Sequence, residues 1–397
     1  MTKKTLSPIL SFLETGALGG AERNLIAMLV LAAKDGHPIY LASNNQDVKQ
    51  YLLEQTALHQ VTITFFWMPF RIDVIGDWKG LLKFPVTVPR AYWWLHNILE
   101  QIPADRPLIA FLLGFTDRLV FTPFLKSRAR RIIWLEQSIL EPVFSKHFRI
   151  PQLLYQLSLP AATHLTALSQ HVQHSMSKHT GREVRVLYPG IEIPSDSRLQ
   201  HLKKGGIEWR KKMKLVNLPI LLVMGRVAHE KQFELAIQAV AHLHRRNKYK
   251  DTHLVIVGDG PAKKELENLV VEQDLKKYCH FMGTVTDEER DSILAAAEIF
   301  LFPSAWVLEG FGLTTAEAMA AGKAIVTSGA GPQAELISDT ENGLTFLPND
   351  AADLAIKCQL LLRDPKLAHK LGRAARKTVQ QRFSKAQLHV QLRDLFS

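Results

Sequence analysis

The sequence predicts an α/β protein of two doubly wound, Rossmann-like domains facing a cleft, and three observations carry that expectation. At 397 residues the chain exceeds the size at which one core usually stops growing. Short apolar runs alternate with longer segments of helical period along its whole length. Most of the runs are rich in Val, Ile, Leu and Phe without polar alternation, which suits strands covered on both faces, as in a parallel sheet wrapped by helices.

In the first half the runs are Ile9–Leu13, Pro38–Ala42, Val61–Phe66, Leu108–Leu113, Ile132–Leu135 and His164–Leu168. In the second they are Ile220–Met224, Leu254–Val257, His280–Met282, Ile299–Phe302, Ala324–Thr327 and Leu344–Leu347. Intervening segments such as Glu230–Arg245 and Pro261–Gln273 are long enough for helices, so right-handed βαβ crossovers are expected. Two sets of six strands imply two domains. The boundary is expected between Pro189 and Pro219, where Gly190, Pro194, Ser195, Asp196 and Ser197 precede a basic, apolar-poor stretch around Lys203–Lys214. The working division is 1–195, 196–381 and a closing segment, 382–397.

An apolar fraction of 47% and a charged fraction of 22% are those of an ordinary globular protein and exclude long disorder. No apolar run approaches the roughly 18 residues that span a bilayer. The opening Met-Thr-Lys-Lys-Thr-Leu lacks a signal-peptide cleavage pattern, so a cytoplasmic location is expected. Cys279 and Cys358 form no Cys-x-x-Cys pair, which argues against a disulfide framework or zinc and fits a reducing compartment. The formal charge of +11 calls for an anionic partner or a solvated basic surface. No zinc finger, RNA-recognition signature or long Lys/Arg tract is present, so nucleic acid is not the expected partner.

In doubly wound sheets ligands sit beyond the carboxyl ends of the strands, so those loops are where chemistry is sought. The richest runs from Phe302 to Gly322: a strand end, a glycine-bearing loop and a helix starting near Thr314. Gly310 and Gly312 let backbone approach a ligand closely. The helix N-terminus offers free N–H groups to a diphosphate. Glu309 and Glu317, eight positions apart, are each able to accept two hydrogen bonds from vicinal sugar hydroxyls. Thr314-x-x-Glu317 also reads as a capping box, so Glu317 has both a structural and a functional reading.

A second cluster, Met224-Gly-Arg226-Val-Ala-His-Glu-Lys231, places a guanidinium and an ammonium in one loop, suited to two linked phosphates. A third loop, Leu13 to Asn24, carries Gly16, Gly19 and Gly20 without Rossmann-fingerprint spacing. Gly258-Asp-Gly260-Pro reads as a tight turn. The histidines, among them His164, His171, His174 and His179, show no metal-ligand spacing, and no metal is expected.

Together these residues resemble the retaining glycosyltransferases of family four, of GT-B architecture. The resemblance runs through much of the chain and is densest from Tyr188 to Pro348. It rests on Gly19-Gly20-Ala-Glu-Arg, Tyr188-Pro-Gly-Ile, Gly225-Arg226…Lys231, Val257-Gly-Asp-Gly-Pro, Gly283-Thr-Val, Pro303-Ser, Glu309-Gly-Phe-Gly-Leu…Glu317-Ala-Met-Ala-Ala-Gly and Glu341-Asn-Gly-Leu. It implies a nucleotide-diphosphate sugar as donor, no cofactor, no metal and retention of anomeric configuration. Arg226 and Lys231 would hold the diphosphate, and Glu309 the transferred sugar. Phe311, Gly312 and Leu313, with Gly310 and Thr314 beside them, would present backbone. Glu317 would bind ribose hydroxyls, backbone at Thr284 and Val285 would meet the base, and Gly19 and Gly20 would close the cleft. The last helix would return to the first domain.

One departure stands out. Many relatives carry a histidine after the strand corresponding to Ile132–Leu135, where this chain reads Trp134-Leu-Glu136-Gln137-Ser138. Glu136 or Gln137 is expected to replace it, with Glu136 the acceptor base if it points into the cleft. Two other readings stay open: a sugar-nucleotide epimerase of the same architecture, and a catalytically silent sugar-nucleotide-binding partner.

The acceptor is expected to be a saccharide or a lipid-linked, cell-envelope molecule. Phe65, Phe66, Trp67, Phe70, Trp78, Phe84, Tyr92, Trp93 and Trp94 are interleaved with Arg71, Lys79, Lys83 and Arg90, and Lys126, Arg128, Arg130 and Arg131 follow. Aromatics with basic neighbours suit the headgroup layer of an anionic membrane, which would make the enzyme peripheral on the inner face. The alternative is a core helix and strand whose aromatics face inward.

Overall fold

A computed structural model describes residues 6–16, 18–72, 78–145, 149–245, 249–304 and 309–397, without the side chains of 78–82 and 84. Trp78, Lys79 and Phe84 of the aromatic stretch therefore have side chains outside the described residues, as do residues 305–308 of the Phe302–Gly322 stretch. The chain divides into two units, Met1–Gly190 with Ala386–Ser397, and Ile191–Lys385.

The first unit is built on a parallel sheet of seven strands: β1 Ile9–Leu13, β2 Ile39–Ser43, β3 Ile63–Trp67, β4 Leu108–Leu112, β5 Ala129–Glu136, β6 His164–Ala167 and β7 Arg185–Val186. Their order is β3-β2-β1-β4-β5-β6-β7. Strands β1 and β4 pair in register from Ile9↔Ile109 to Phe12↔Leu112 and are buried throughout, as their unbroken apolar runs require. Six strands are expected here from the apolar runs. The seventh spans two residues and makes no apolar run, although it pairs with β6 through Thr166↔Arg185.

The second unit carries a parallel sheet of six: β8 Ile220–Met224, β9 His253–Val257, β10 Cys279–Gly283, β11 Ile299–Phe302, β12 Ala324–Thr327 and β13 Leu344–Thr345, in the order β10-β9-β8-β11-β12-β13. In both sheets the chain builds outward in one direction, returns to the centre and builds the other way. The reversals fall between β1 and β4 and between β8 and β11.

Helices cover both sheets where polar caps and apolar stripes coincide. The basic stretch near the expected boundary is α8, Asp196–Lys212, begun by Ser195, whose hydroxyl accepts the Arg198 amide at 3.2 Å. Its Leu202, Gly206 and Trp209 are buried, and it packs on α11, Asp287–Ala296. A Cβ on Gly206 would stand 2.9 Å from the Ala296 nitrogen, so only glycine permits this approach. The final helix, α16, Lys385–Phe396, buries Leu388, Leu392, Leu395 and Phe396 in the core of the first unit. Asp35 fixes it there, accepting from His389 at 2.8 Å and from Arg393 at 2.6 Å. Burial pushes the Asp35 carboxyl up, but these two partners outweigh it and hold it below its ordinary value.

Candidate functional site

In the second unit the loops after β8 and β11 flank the reversal of strand order, where a doubly wound sheet opens a crevice. Arg226 follows Gly225, whose φ of 144° is open to glycine, and a short 3₁₀ turn over His229–Lys231 sets Lys231 at the crevice. Lys231 forms an ion pair with Glu309, 78 residues on, and its ammonium lies 5.4 Å from the centre of the Phe302 ring. Both side chains are 20% exposed. Arg226 pairs with Glu230 and is 65% exposed. The sheet thus brings Lys231 and Glu309 together from two sequence clusters, with Arg226 in the same loop as Lys231 and paired there to Glu230.

Backbone braces hold this arrangement. The loop after β8 donates to the end of β9 and the turn that follows it: Val227 N–H reaches Asp259 O at 2.9 Å, and Gly225 N–H reaches Val257 O at 3.0 Å, while Ala262 N–H donates back to Val227 O at 3.1 Å. A Cβ on Gly258 would meet Gly225 O at 1.9 Å, so this turn exists for close approach. A hydroxyl ladder joins three loops, with Ser304 Oγ donating to Glu230 O at 2.6 Å and Ser328 Oγ to Ser304 O at 2.6 Å.

Helix α12, Leu313–Ala320, begins at Gly312, whose φ is 96°. Thr314 therefore lies inside the first turn, and the Thr314–Glu317 capping box does not form. The cap is a left-handed glycine with no side-chain bond, which leaves the leading N–H groups to other acceptors. Phe311 buries its ring against Phe383 at 5.3 Å, so it offers only backbone to a ligand. Glu317 acts on Arg290 of α11. Burial lowers the Arg290 pKa, but the charges of Glu317 and Asp291 outweigh that and the net direction is up. Thr284 and Val285 follow β10 directly, beyond Gly283 at φ 66°. Gln333 was missed in the sequence. It is fully buried after β12, with neither amide atom hydrogen-bonded, and its Nε2 lies 2.1 Å from where a Cβ on Gly312 would be.

In the first unit the corresponding loops behave differently. Gly19 is the N-cap of α1, Gly20–Lys34, and Glu22 folds back to accept its N–H at 2.9 Å and the Thr15 hydroxyl at 3.1 Å. Across the reversal, α4, Phe115–Leu125, starts at Gly114 and carries Asp117 and Arg118, both buried. Glu136 does not fit the role of acceptor base. It is 4% exposed, bonded by Arg118 Nη1 at 2.6 Å and by the Gln137 amide at 3.0 Å, so its carboxylate is already committed. Asp117 is fully buried with both oxygens outside hydrogen-bond geometry. Burial pushes its carboxyl up to about 7, against the opposing charge of Arg118 and the Glu14 amide. Sequence reading missed Asp117 and Arg118; the only signal was a charged pair inside an otherwise apolar helix.

The aromatic stretch divides. Trp94 packs on Phe70 at 5.2 Å and donates to Trp67 O at 3.1 Å, and Tyr92 stacks on Phe124. Trp67 and Trp93 are exposed. Among the described residues, no group of three or more His, Cys, Asp and Glu is placed to hold a metal, and no helix is long and apolar enough to cross a membrane.

Comparison with known proteins follows the same division. Residues 207–378 match the family model for glycosyl transferases group 1. The 2-deoxystreptamine glucosyltransferase of Streptomyces kanamyceticus is 26% identical over 67% of this chain and 68% of its own. Among solved structures, Anabaena Alr3699/HepE in complex with UDP and glucose superposes with a TM-score of 0.76 at 20% identity, covering 98% of this chain and 99% of that one. WaaG, a glycosyltransferase involved in lipopolysaccharide biosynthesis, superposes at 0.69 with 18% identity, covering 98% and 99%. Both likenesses place the two sheets in the GT-B fold. Residues 207–378, most of the second unit, therefore carry a glycosyl transferases group 1 domain.

Proposed function

We propose that the chain is a retaining, metal-independent hexosyltransferase. It moves a sugar from a nucleotide-diphosphate sugar to a saccharide or lipid-linked acceptor in cell-envelope or polysaccharide biosynthesis. The observation that carries this reading is the meeting of Lys231 and Glu309 at the reversal of the second sheet, with Arg226 exposed in the same loop. Arg226 and Lys231 take the donor diphosphate. With the diphosphate on Lys231, the Glu309 carboxylate beside it faces the transferred sugar. Backbone amides of Gly310, Phe311, Gly312 and Leu313 and the open start of α12 complete the anion cradle, with Thr314 in its first turn. Glu317 takes the ribose hydroxyls, and backbone at Thr284 and Val285 meets the base.

In the reaction the bond from the anomeric carbon to the phosphate oxygen breaks and the bond to the acceptor oxygen forms. The nucleoside diphosphate leaves, and the acceptor proton passes to its leaving phosphate oxygen, so Glu136 is not required. The two cations offset charge that grows on the diphosphate, which is transition-state stabilisation supplied by the protein itself. Activity after EDTA treatment tests metal independence; loss with rescue by magnesium or manganese overturns it. Proton NMR of the anomeric signal in the product tests retention. A thermal-shift panel of UDP-, GDP- and ADP-sugars identifies the donor, which at a hundred times its Kd adds about 2.7 kcal/mol.

The exposed aromatic face favours an acceptor held at a membrane. Lys83, Val86, Arg90 and Trp93 recur at helical spacing on α3, Trp78–Gln101, and all are exposed, with Trp67 and Arg71 exposed nearby. Such a stripe suits the headgroup layer of an anionic bilayer, each cation adding about 1 kcal/mol. Sedimentation with anionic and neutral vesicles tests it. Binding to anionic vesicles that weakens with salt is expected; equal binding to both, or to neither, leaves a soluble acceptor.

A further inference from the structure

A second basic site lies at the opposite edge of the first unit's sheet. The amino ends of β5, β6 and β7 and the last turn of α16 line a cavity of about 460 Å³. Arg131 enters from β5, Arg182 from the approach to β7, Arg185 from β7 itself and Asp394 from α16. Arg131 Nη1 donates to Leu395 O at 2.9 Å, and Arg182 Nη1 to Leu159 O at 3.0 Å. Backbone carbonyls orient these guanidiniums without neutralising them. Arg185 alone meets a carboxylate, Asp394, at 2.5 Å. The other acid in the lining, Glu183, is exposed.

His164, the first residue of β6, sits among these cations with Nδ1 2.9 Å from the Thr163 hydroxyl. Burial first, and then the charges of Arg131, Arg182 and Arg185, hold its imidazole below the ordinary range. The three guanidiniums outnumber the two carboxylates of the lining, Asp394 and Glu183, and only Arg185 is paired to one of them. Three guanidiniums with spare forked N–H donors match the three oxygens and double charge of a phosphate monoester. Arrival of that dianion reverses the field at His164.

We propose that this cavity is a second, anion-binding site that takes a phosphate-bearing ligand, with His164 taking up a proton as the phosphate enters. It stands on none of the donor-site residues.

The test is an NMR titration of the full chain with labelled histidine, the His164 signal being assigned by its loss in His164→Gln. Inorganic phosphate is added to the wild type and to Arg226→Ala/Lys231→Ala, which lacks the donor-site cations. The expected result is a saturable rise of the His164 midpoint in both proteins, by about one pH unit or more. Arg131→Gln and Arg182→Gln should each weaken the response about tenfold. Because Arg182 also ties down backbone, Arg182→Lys provides a folded variant that keeps charge but loses the fork, and an intermediate loss is expected. A His164 midpoint unmoved by phosphate and by vesicles overturns the proposal, as does an equal shift with chloride or a response that vanishes in the donor-site variant. Vesicles of phosphatidic acid, whose headgroup is a phosphate monoester, in phosphatidylcholine separate the sources. A response to phosphate alone assigns a soluble ligand, and a response to vesicles assigns a lipid headgroup.

Discussion

In the second unit the crevice between β8 and β11 is edged by charges within reach of solvent: Arg226 at 65% exposure, and Lys231 and Glu309 at 20% each. In the first unit the crevice between β1 and β4 keeps its charges inside, with Arg118 and Glu136 at 1% and 5% and Asp117 fully covered. The same topology thus supports two uses of charge. Exposed pairs give up little when a ligand replaces one partner, because water already screens them. A buried pair that loses a partner leaves an uncompensated ion in the interior, so it holds a structure rather than exchanging ligands.

The largest effect should come from breaking the buried arrangement. Arg118→Ala leaves Glu136 and Asp117 without their cation and should cost about 3–5 kcal/mol in urea unfolding. Arg118→Met with Glu136→Met should recover most of that loss, since neither charge then remains. If Glu136→Gln lowered turnover per folded molecule while stability held, the comparison would break, because Glu136 would then act in the reaction.

Asp117 sharpens the same contrast through pH. Its folded carboxyl titrates at about 7, above the 3.8 of the unfolded chain. Below the unfolded value it is protonated in both states and costs nothing. As pH rises from about 4 to 7 the unfolded chain releases the proton first, and stability falls. Asp117→Asn should remove that fall and gain on the order of 2–4 kcal/mol over wild type at pH 8, with little gain at pH 4. A wild-type stability that stays level across this window would show that Asp117 ionises freely.

At the exposed crevice the expected effects are on rate. Arg226→Ala and Lys231→Ala should each lower turnover at least tenfold, since a charge-assisted bond is worth roughly 1.5–3 kcal/mol, and should barely move the unfolding midpoint. Near-normal turnover in both would remove the diphosphate from this loop.

How much of this was legible in the sequence follows from the same contrast. Strand ends and their loops stood out because unbroken apolar runs such as Ile220–Met224 stop at Gly225 and Arg226. Lys231 and Glu309 were each visible, but their meeting was not, because it depends on β8 and β11 becoming neighbours. Asp117 and Arg118 escaped because a charged pair in a helix ordinarily faces water, and only the sheet order puts this one inside. Glu136 ends β5 where ligands are sought, and its pairing to Arg118 depends on a contact between β5 and α4 that spacing does not show. The Thr314–Glu317 pattern misled because φ at Gly312 moved the cap by two residues, a choice that spacing does not record. Strand β7 was too short for any periodicity.

The smallest prediction concerns the two helix starts that face these crevices. Helix α1 carries its own anion: Glu22 accepts the Gly19 N–H, so the start of the helix is closed from within. Helix α12 has no such group, and one cannot simply be added at Gly312, where φ is 96° and Gln333 fills the space of a Cβ. Glu22→Gln keeps an acceptor but removes the charge from the positive end of α1, and should cost about 0.3–1 kcal/mol. Glu22→Ala removes both and should cost about 1 kcal/mol, near the loss of a capping residue. In high salt both costs should fall by the same charge contribution, so that of Glu22→Gln approaches zero and that of Glu22→Ala keeps the hydrogen bond. Thermal unfolding of the two variants at low and high salt reads this directly. If Glu22→Gln were as stable as wild type at low salt, α1 would draw nothing from the charge of Glu22. The distinction between a start closed by its own carboxylate and one left for a ligand would then rest on the hydrogen bond alone.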